Sequence, residues 1–201
     1  MTRYIVGMDE VGRGPIAGPI VGAAVFSSGS REQKKILAQS KDSKILTARK
    51  REYLASLINE NFLWSIKVAD NNFIDQQGIQ TANIFVLQEA LNDLLQKVNN
   101  INYLEIKIFS DYVGGAKKYW PDSQAAFFKK GESRHPEIAA ASIIAKVWRD
   151  ELMKNYHEFY PQYNFLKNKG YGTREHFDSL SKHGPSILHR HSFLRAYIDR
   201  A

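Results

Sequence analysis

The distribution of apolar and polar positions outlines the elements of this chain before any single residue is weighed. Two apolar runs of strand type, about Arg3–Glu10 and Ile20–Phe26, flank a loop with glycine at 12, 14 and 18 and proline at 15 and 19. They are close enough in sequence to pair antiparallel. Phe62 to Ala69 alternates apolar and polar residues and predicts a third strand. Tyr103–Ser110 (YLEIKIFS) predicts a fourth, ending at Asp111, and Gln124–Lys129 a short fifth. Helical spacing over about Thr81–Val98 places Ile84, Leu87, Leu91, Leu94, Leu95 and Val98 on one face. Thr47 is the expected N-cap of another helix. A long helix is expected over Pro136–Tyr156, where the small apolar residues of EIAAASIIAKV permit close packing on a sheet, and a further one over Arg174–Lys182. Three strands in series, then strands alternating with helices, predict a mixed five-stranded α/β sheet flanked by helices. Residues 1–155 are expected to form the main domain and 156–201 a small C-terminal helical appendage packed on it.

Length and composition narrow the class. A chain of 201 residues with 43% hydrophobic content can bury one substantial core and is not disordered. No apolar stretch reaches membrane-spanning length and the N-terminus lacks a signal-peptide layout, so a cytoplasmic protein without a membrane partner is expected. The absence of cysteine excludes disulfides and thiolate sites, leaving carboxylate or imidazole ligands. The formal net charge of +7 suits a polyanion such as nucleic acid, and suits a merely basic surface equally well. Nothing requires more than a monomer.

The candidate chemistry lies in the acids at strand ends. Consecutive strand residues point to opposite faces, so Asp9 and Glu10 can share a site only where the strand ends. Asp111 also follows directly on an apolar strand. If the first and fourth strands are parallel neighbours, all three acids lie at carboxyl ends, where open α/β sheets place ligands. Glu132, in FFKKGES, is expected to close the fifth strand. Four carboxylates repel one another unless cations join them, and they suit hard divalent ions such as Mg²⁺, two of which can activate water and stabilise a leaving alkoxide. Taken singly, each acid is more often solvated or capping; the constellation carries the inference.

Around these acids, Gly12-Arg13-Gly14 lets the backbone approach a sugar-phosphate chain with its N–H and C=O groups free to bond, although a tight turn is the commoner role of such glycines. A nucleotidase-type phosphate loop is disfavoured, since no Lys-Ser or Lys-Thr pair follows. Tyr171, between Gly170 and Gly172, should stand out from the chain, with packing its default role. Arg13, Lys41 and Lys44 are the leading phosphate-contact candidates, then Lys146, Lys167 and Lys169. Asp42 reads as structural. His176, His183, His189 and His191 fit no usual zinc spacing.

Five blocks carry a resemblance to a known family: DEVGRGPIAGPIVGAAV, DSK at 42–44, FSD at 109–111, KGES…IAAASIIAKVWRD at 130–150 and NKGYGT at 168–173. In order and spacing, along nearly the full chain, they resemble the prokaryotic type 2 ribonuclease H, ribonuclease HII. The resemblance implies a ribonuclease H-like fold and two-metal hydrolysis, with Mg²⁺ or Mn²⁺, of RNA paired to DNA. It also implies incision 5′ to single ribonucleotides embedded in duplex DNA, leaving 3′-hydroxyl and 5′-phosphate ends. It makes Asp9, Glu10 and Asp111 metal ligands. The fourth family ligand is normally aspartate; here Glu132 stands in its place, as in type 3 ribonucleases H, with Glu137 a weaker alternative. It further implies that Gly12, Arg13 and Gly14 contact the ribonucleotide, whose 2′-hydroxyl distinguishes RNA, and that Tyr171 stacks on the adjacent deoxyribose. Three rivals stand beside this reading. A type 3-like enzyme restricted to longer hybrids rests on Glu132 alone. A catalytically inactive binding module is opposed by the full set of acids, and an integrase- or resolvase-type nuclease by GRG and GYGT.

Overall fold

The computed structural model describes residues 4–40, 46–114, 120 and 125–198. Strands β1 (Tyr4–Val11), β2 (Ile20–Ser27), β3 (Leu63–Ala69), β4 (Ile106–Asp111) and β5 (Ala125–Phe128) form one sheet in the order β3-β2-β1-β4-β5. The first three are antiparallel in sequence order. β4 runs parallel to β1, and β5 parallel to β4. Met8 is opposite Ser110, so Asp9 and Asp111 are the next residues on two adjacent parallel strands.

Period-two alternation assigns each face of the sheet to its own helices. Val6 and Met8, with Ala24, Phe26, Ile106 and Ile108, pack against Leu87, Leu91 and Leu94 of α4 (Ile79–Lys97). On the opposite face Val21, Ala23 and Val25 meet the small residues of α6 (Pro136–Phe159), with α1 (Arg31–Ser40) and α2 (Ala48–Asn61) beside them. Two strand glycines make this closeness possible. A Cβ at Gly7 would lie 2.1 Å from the backbone of Glu137 in α6, and one at Gly22 would lie 2.8 Å from that of Val86 in α4.

The remaining helices are α3 (Asn71–Gln77), α5 (Gly131–Arg134), α7 (Phe165–Asn168), α8 (Arg174–His183) and α9 (His191–Ile198). The Thr47 hydroxyl caps α2 by accepting from the Lys50 N–H at 3.3 Å. β4 begins later than its apolar pattern implies. Residues Tyr103–Glu105 form a 3-10 turn instead, with the Asn102 side chain accepting from the Leu104 N–H. Glu132 does not close a strand. β5 stops at Phe128, Lys130 adopts a left-handed conformation (φ 54°), and Glu132 lies in the single turn of α5. The long helix continues past Tyr156 to Phe159. Beyond it, Tyr163, Phe165, Leu180, Leu188 and Leu194 share an apolar cluster with Met153 of α6 and with Ile16 and Ala17 of the glycine loop. Among the described residues no helix is long and apolar enough to cross a membrane.

Candidate active site

At the carboxyl end of β1 the last two acids face opposite sides of the sheet. Asp9 lies toward α6, where the Ser142 hydroxyl partners it, and Glu10 toward α4, where Asn83 donates to its Oε1 at 2.9 Å. Asp9 is buried, and burial first, then the Glu10 and Asp111 charges, push its carboxyl well above the usual range. Burial also raises Glu10, to about 7; Asn83 and Arg13 pull it down, while Asp111 raises it further. The three carboxylates are therefore within electrostatic reach of one another. Arg13 Nη1 lies 3.6 Å from Glu10 Oε1, and its Nη2 donates to Gln80 Oε1 at 3.4 Å. Gln80 in turn donates to the Gly114 carbonyl.

These acids open onto a cleft of about 390 Å³ whose walls include Asp9, Glu10, Gly12, Arg13, Gly14, Asp111, Ser142, Lys146, Arg51 and Tyr171. Glu132 is buried and is not part of the cleft wall. Its neighbour Gly131 donates its N–H to Asp111 Oδ1 at 3.0 Å, which brings α5 up against that carboxylate. Glu137 is buried in the first turn of α6. Lys41, Asp42, Ser43 and Lys44 lie outside the described residues. Lys146 pairs with Asp150 at 2.7 Å and Lys167 with Glu175 at 3.3 Å, while Lys169 donates to the Leu166 carbonyl.

Among the described residues no three His, Asp or Glu side chains are placed so that they could hold a metal ion by themselves. The donor set nevertheless fits a hard divalent cation. Glu10 Oε2 is buried without a hydrogen-bond partner, and adjacent carboxylates of raised pKa await a positive charge. Mg²⁺ retains several waters and is usually held by one or two carboxylates with substrate phosphates, so a closed cage is not needed.

Tyr171, 43% exposed, is set by its neighbours. Gly170 has φ 84° and no space for a side chain, since a Cβ would sit 2.3 Å from the Ala17 carbonyl oxygen. The Gly170 carbonyl accepts from the N–H groups of Ile16 and Ala17 at 2.9 and 3.2 Å, which joins the tyrosine loop to the glycine loop. A Cβ on Gly14 would lie 3.6 Å from the Tyr171 ring. His176 Nδ1 bonds to the Tyr171 carbonyl at 2.9 Å, and its Nε2 to His189 Nε2 at 3.0 Å.

The glycine loop departs from expectation in one respect. The carbonyls of Gly12 and Arg13 are not free, because Arg190 occupies both, at 2.7 and 3.1 Å. Arg190 and Arg149, both wholly buried, are among the residues that sequence reasoning missed, together with Asn83, Ser142 and Arg51. For Asn83 a signal existed, a polar residue four positions before Leu87 on the apolar side of α4.

A mixed sheet with acids at the ends of two parallel strands, covered by helices on both faces, is the ribonuclease H-like arrangement. Two solved structures share it. One is the PCNA:RNase HII complex from Archaeoglobus fulgidus (TM-score 0.73, 21% identity, 93% of both chains covered). The other is Bst-RNase HIII in complex with Mn²⁺ (TM-score 0.75, 23% identity, 91% of this chain and 63% of that one). In sequence, the Ribonuclease HII family model matches residues 6–196. The ribonuclease HII of Clostridium perfringens (strain ATCC 13124) is 44% identical over 197 residues, covering 96% of this chain and 67% of that protein. The chain belongs to the ribonuclease HII family.

Proposed function

We propose that this protein hydrolyses the RNA strand of RNA–DNA hybrids and incises duplex DNA 5′ to single embedded ribonucleotides. Asp9, Glu10, Asp111 and Glu132 hold two divalent cations, Mg²⁺ or Mn²⁺, and the products carry 3′-hydroxyl and 5′-phosphate ends. The observation that carries this reading is the buried Asp9–Glu10 pair beside Asp111, with one Glu10 oxygen unpartnered at the edge of a cleft. Bound cations of this kind activate water and stabilise a leaving alkoxide.

The chain's own groups orient the reaction. Water adds to the phosphorus 5′ of a ribonucleotide, the bond to the 3′-oxygen breaks, and the phosphate stays with the ribonucleotide. Asn83 and Arg13 fix Glu10, and Ser142 supports Asp9. Gly12, Arg13 and Gly14 line one wall of the cleft, as does Tyr171, and we assign them the ribonucleotide and the sugar beside it. Lys44 is proposed to contact phosphate. Residues 156–201 are proposed to act as the substrate-binding appendage of a catalytic region spanning 1–155.

The test is cleavage of a duplex with one embedded ribonucleotide against an all-RNA/DNA hybrid, each in Mg²⁺ and in Mn²⁺. Cutting at the single ribonucleotide supports the proposal. Cutting only the hybrid favours the type 3-like activity, and cutting neither favours a binding module.

A further inference from the structure

We infer that Arg190, with Arg149 behind it, is a positioning residue that turns the glycine loop into a row of backbone donors aimed at a phosphodiester oxygen. The inference rests on the nuclease reading above and adds how the loop binds.

Arg190 is wholly buried, and each of its three guanidinium nitrogens donates to a backbone carbonyl: Gly18 from Nε at 2.9 Å, Arg13 from Nη1 at 3.1 Å and Gly12 from Nη2 at 2.7 Å. Arg149 does the same, donating to Pro19 at 2.9 Å, Ala17 at 3.2 Å and Lys169 at 2.9 Å. Buried arginines normally meet carboxylates; these two meet a loop.

The peptides of the described residues are trans, and in a trans peptide the C=O of one residue and the N–H of the next point in opposite directions. With the Gly12 and Arg13 carbonyls drawn inward to Arg190, the N–H groups of Arg13 and Gly14 point away from it. Both residues are exposed and line the cleft beside Glu10. Consecutive outward N–H groups backed by buried positive charge form a site for an anionic oxygen. The Gly12 position tolerates no change, since a Cβ would lie 2.6 Å from Arg149 Nε and φ is 104°. Arg190 is itself anchored, because its N–H donates to the Ile16 carbonyl and the next two N–H groups bond to Asp75.

Two measurements test this. In steady-state cleavage of a hybrid, Arg190→Lys and Arg190→Met should raise KM by about tenfold or more, with kcat changed by less than about threefold. A loss of kcat at unchanged KM would overturn the inference. Should the variants fail to fold, amide hydrogen exchange on the wild-type protein decides, with hybrid duplex added in EDTA to prevent cleavage. Protection of the Arg13 and Gly14 amides on binding is expected, and bound duplex that leaves both unprotected would overturn it. Failure of the nuclease reading is distinct, since the wild type would then cleave neither substrate.

Discussion

Asn83, wholly buried in α4, donates its side-chain amide to Glu10 Oε1 at 2.9 Å, and Arg13 approaches the same oxygen at 3.6 Å. Both donors load one carboxylate oxygen and leave Oε2 for another partner. Groups that orient a ligating carboxylate commonly change metal affinity by about 10–100-fold. Asn83→Leu should therefore weaken Mn²⁺ binding at least about tenfold by calorimetry without substrate. Unchanged affinity would remove Asn83 from the site.

The carboxylates should cost the cation-free protein stability. Glu10 is raised to about 7 from an ordinary value near 4.5, so around neutral pH the folded state resists a charge that the unfolded chain accepts freely. This penalty grows as pH rises from about 4.5 through 7. Glu10→Gln should abolish cleavage by about a hundredfold or more. It should also raise the metal-free melting temperature at pH 8 by several degrees, on the order of 2 kcal/mol. A lower melting temperature would contradict the assignment.

The resemblance puts Glu132 where aspartate is usual, and the residue lies in α5, next to the Gly131–Asp111 bond. Glu132→Gln should reduce Mg²⁺-supported cleavage at least tenfold, whereas Glu132→Asp should retain most of it. Full activity in Glu132→Gln would exclude it as a ligand.

For Tyr171 the half-exposed ring predicts a division between activity and folding. Stacking of an aromatic ring on nucleic acid is typically worth ~1–3 kcal/mol. Tyr171→Ala should therefore lower kcat/KM at a single ribonucleotide about 10- to 100-fold with a small change in melting temperature, and Tyr171→Phe should stay near wild type. Equal losses of stability and activity would refute the role.

Behind Tyr171 a neutral relay runs from the Ser186 N–H into His189 Nδ1, from His189 Nε2 to His176 Nε2, and from His176 Nδ1 to the Tyr171 carbonyl. The order of donors leaves no place for an extra proton. Burial holds both rings below the usual histidine range, His189 at about 4. Between that value and about 6.5 the unfolded chain binds a proton that the folded one refuses. Stability is thus complete at neutral pH and is lost as pH falls through this window. Urea midpoints at pH 7, 5.5 and 4.5 should show the decline, and His189→Gln should flatten it.

The strands were legible because period-two alternation and β-branched runs mark them directly. The parallel pairing of β4 with β1, which the sequence offered only as a condition for Asp111 to join Asp9 and Glu10, is the pairing observed. What stayed hidden depended on distance along the chain. Arg149 reaches Pro19 across 130 residues, and Arg190 reaches Gly12 across 178. Their partners are carbonyl groups, which every residue possesses, so no side-chain pattern announces them. α1 was concealed by its lysines, although Gln33, Ile36, Leu37 and Ser40 form its buried stripe. Glu132 was read into a strand because the left-handed turn at Lys130, on a residue that seldom adopts it, gives no warning.

The bond pair from Ile16 and Ala17 to the Gly170 carbonyl has a mechanical meaning. It rivets the glycine loop and the tyrosine loop together, so that the Gly14 backbone and the Tyr171 ring, close enough that a methyl group on Gly14 would touch the ring, travel as one piece of the cleft lining. Lengthening either loop by a single residue should shift the ring against the glycine backbone while leaving the carboxylates in place.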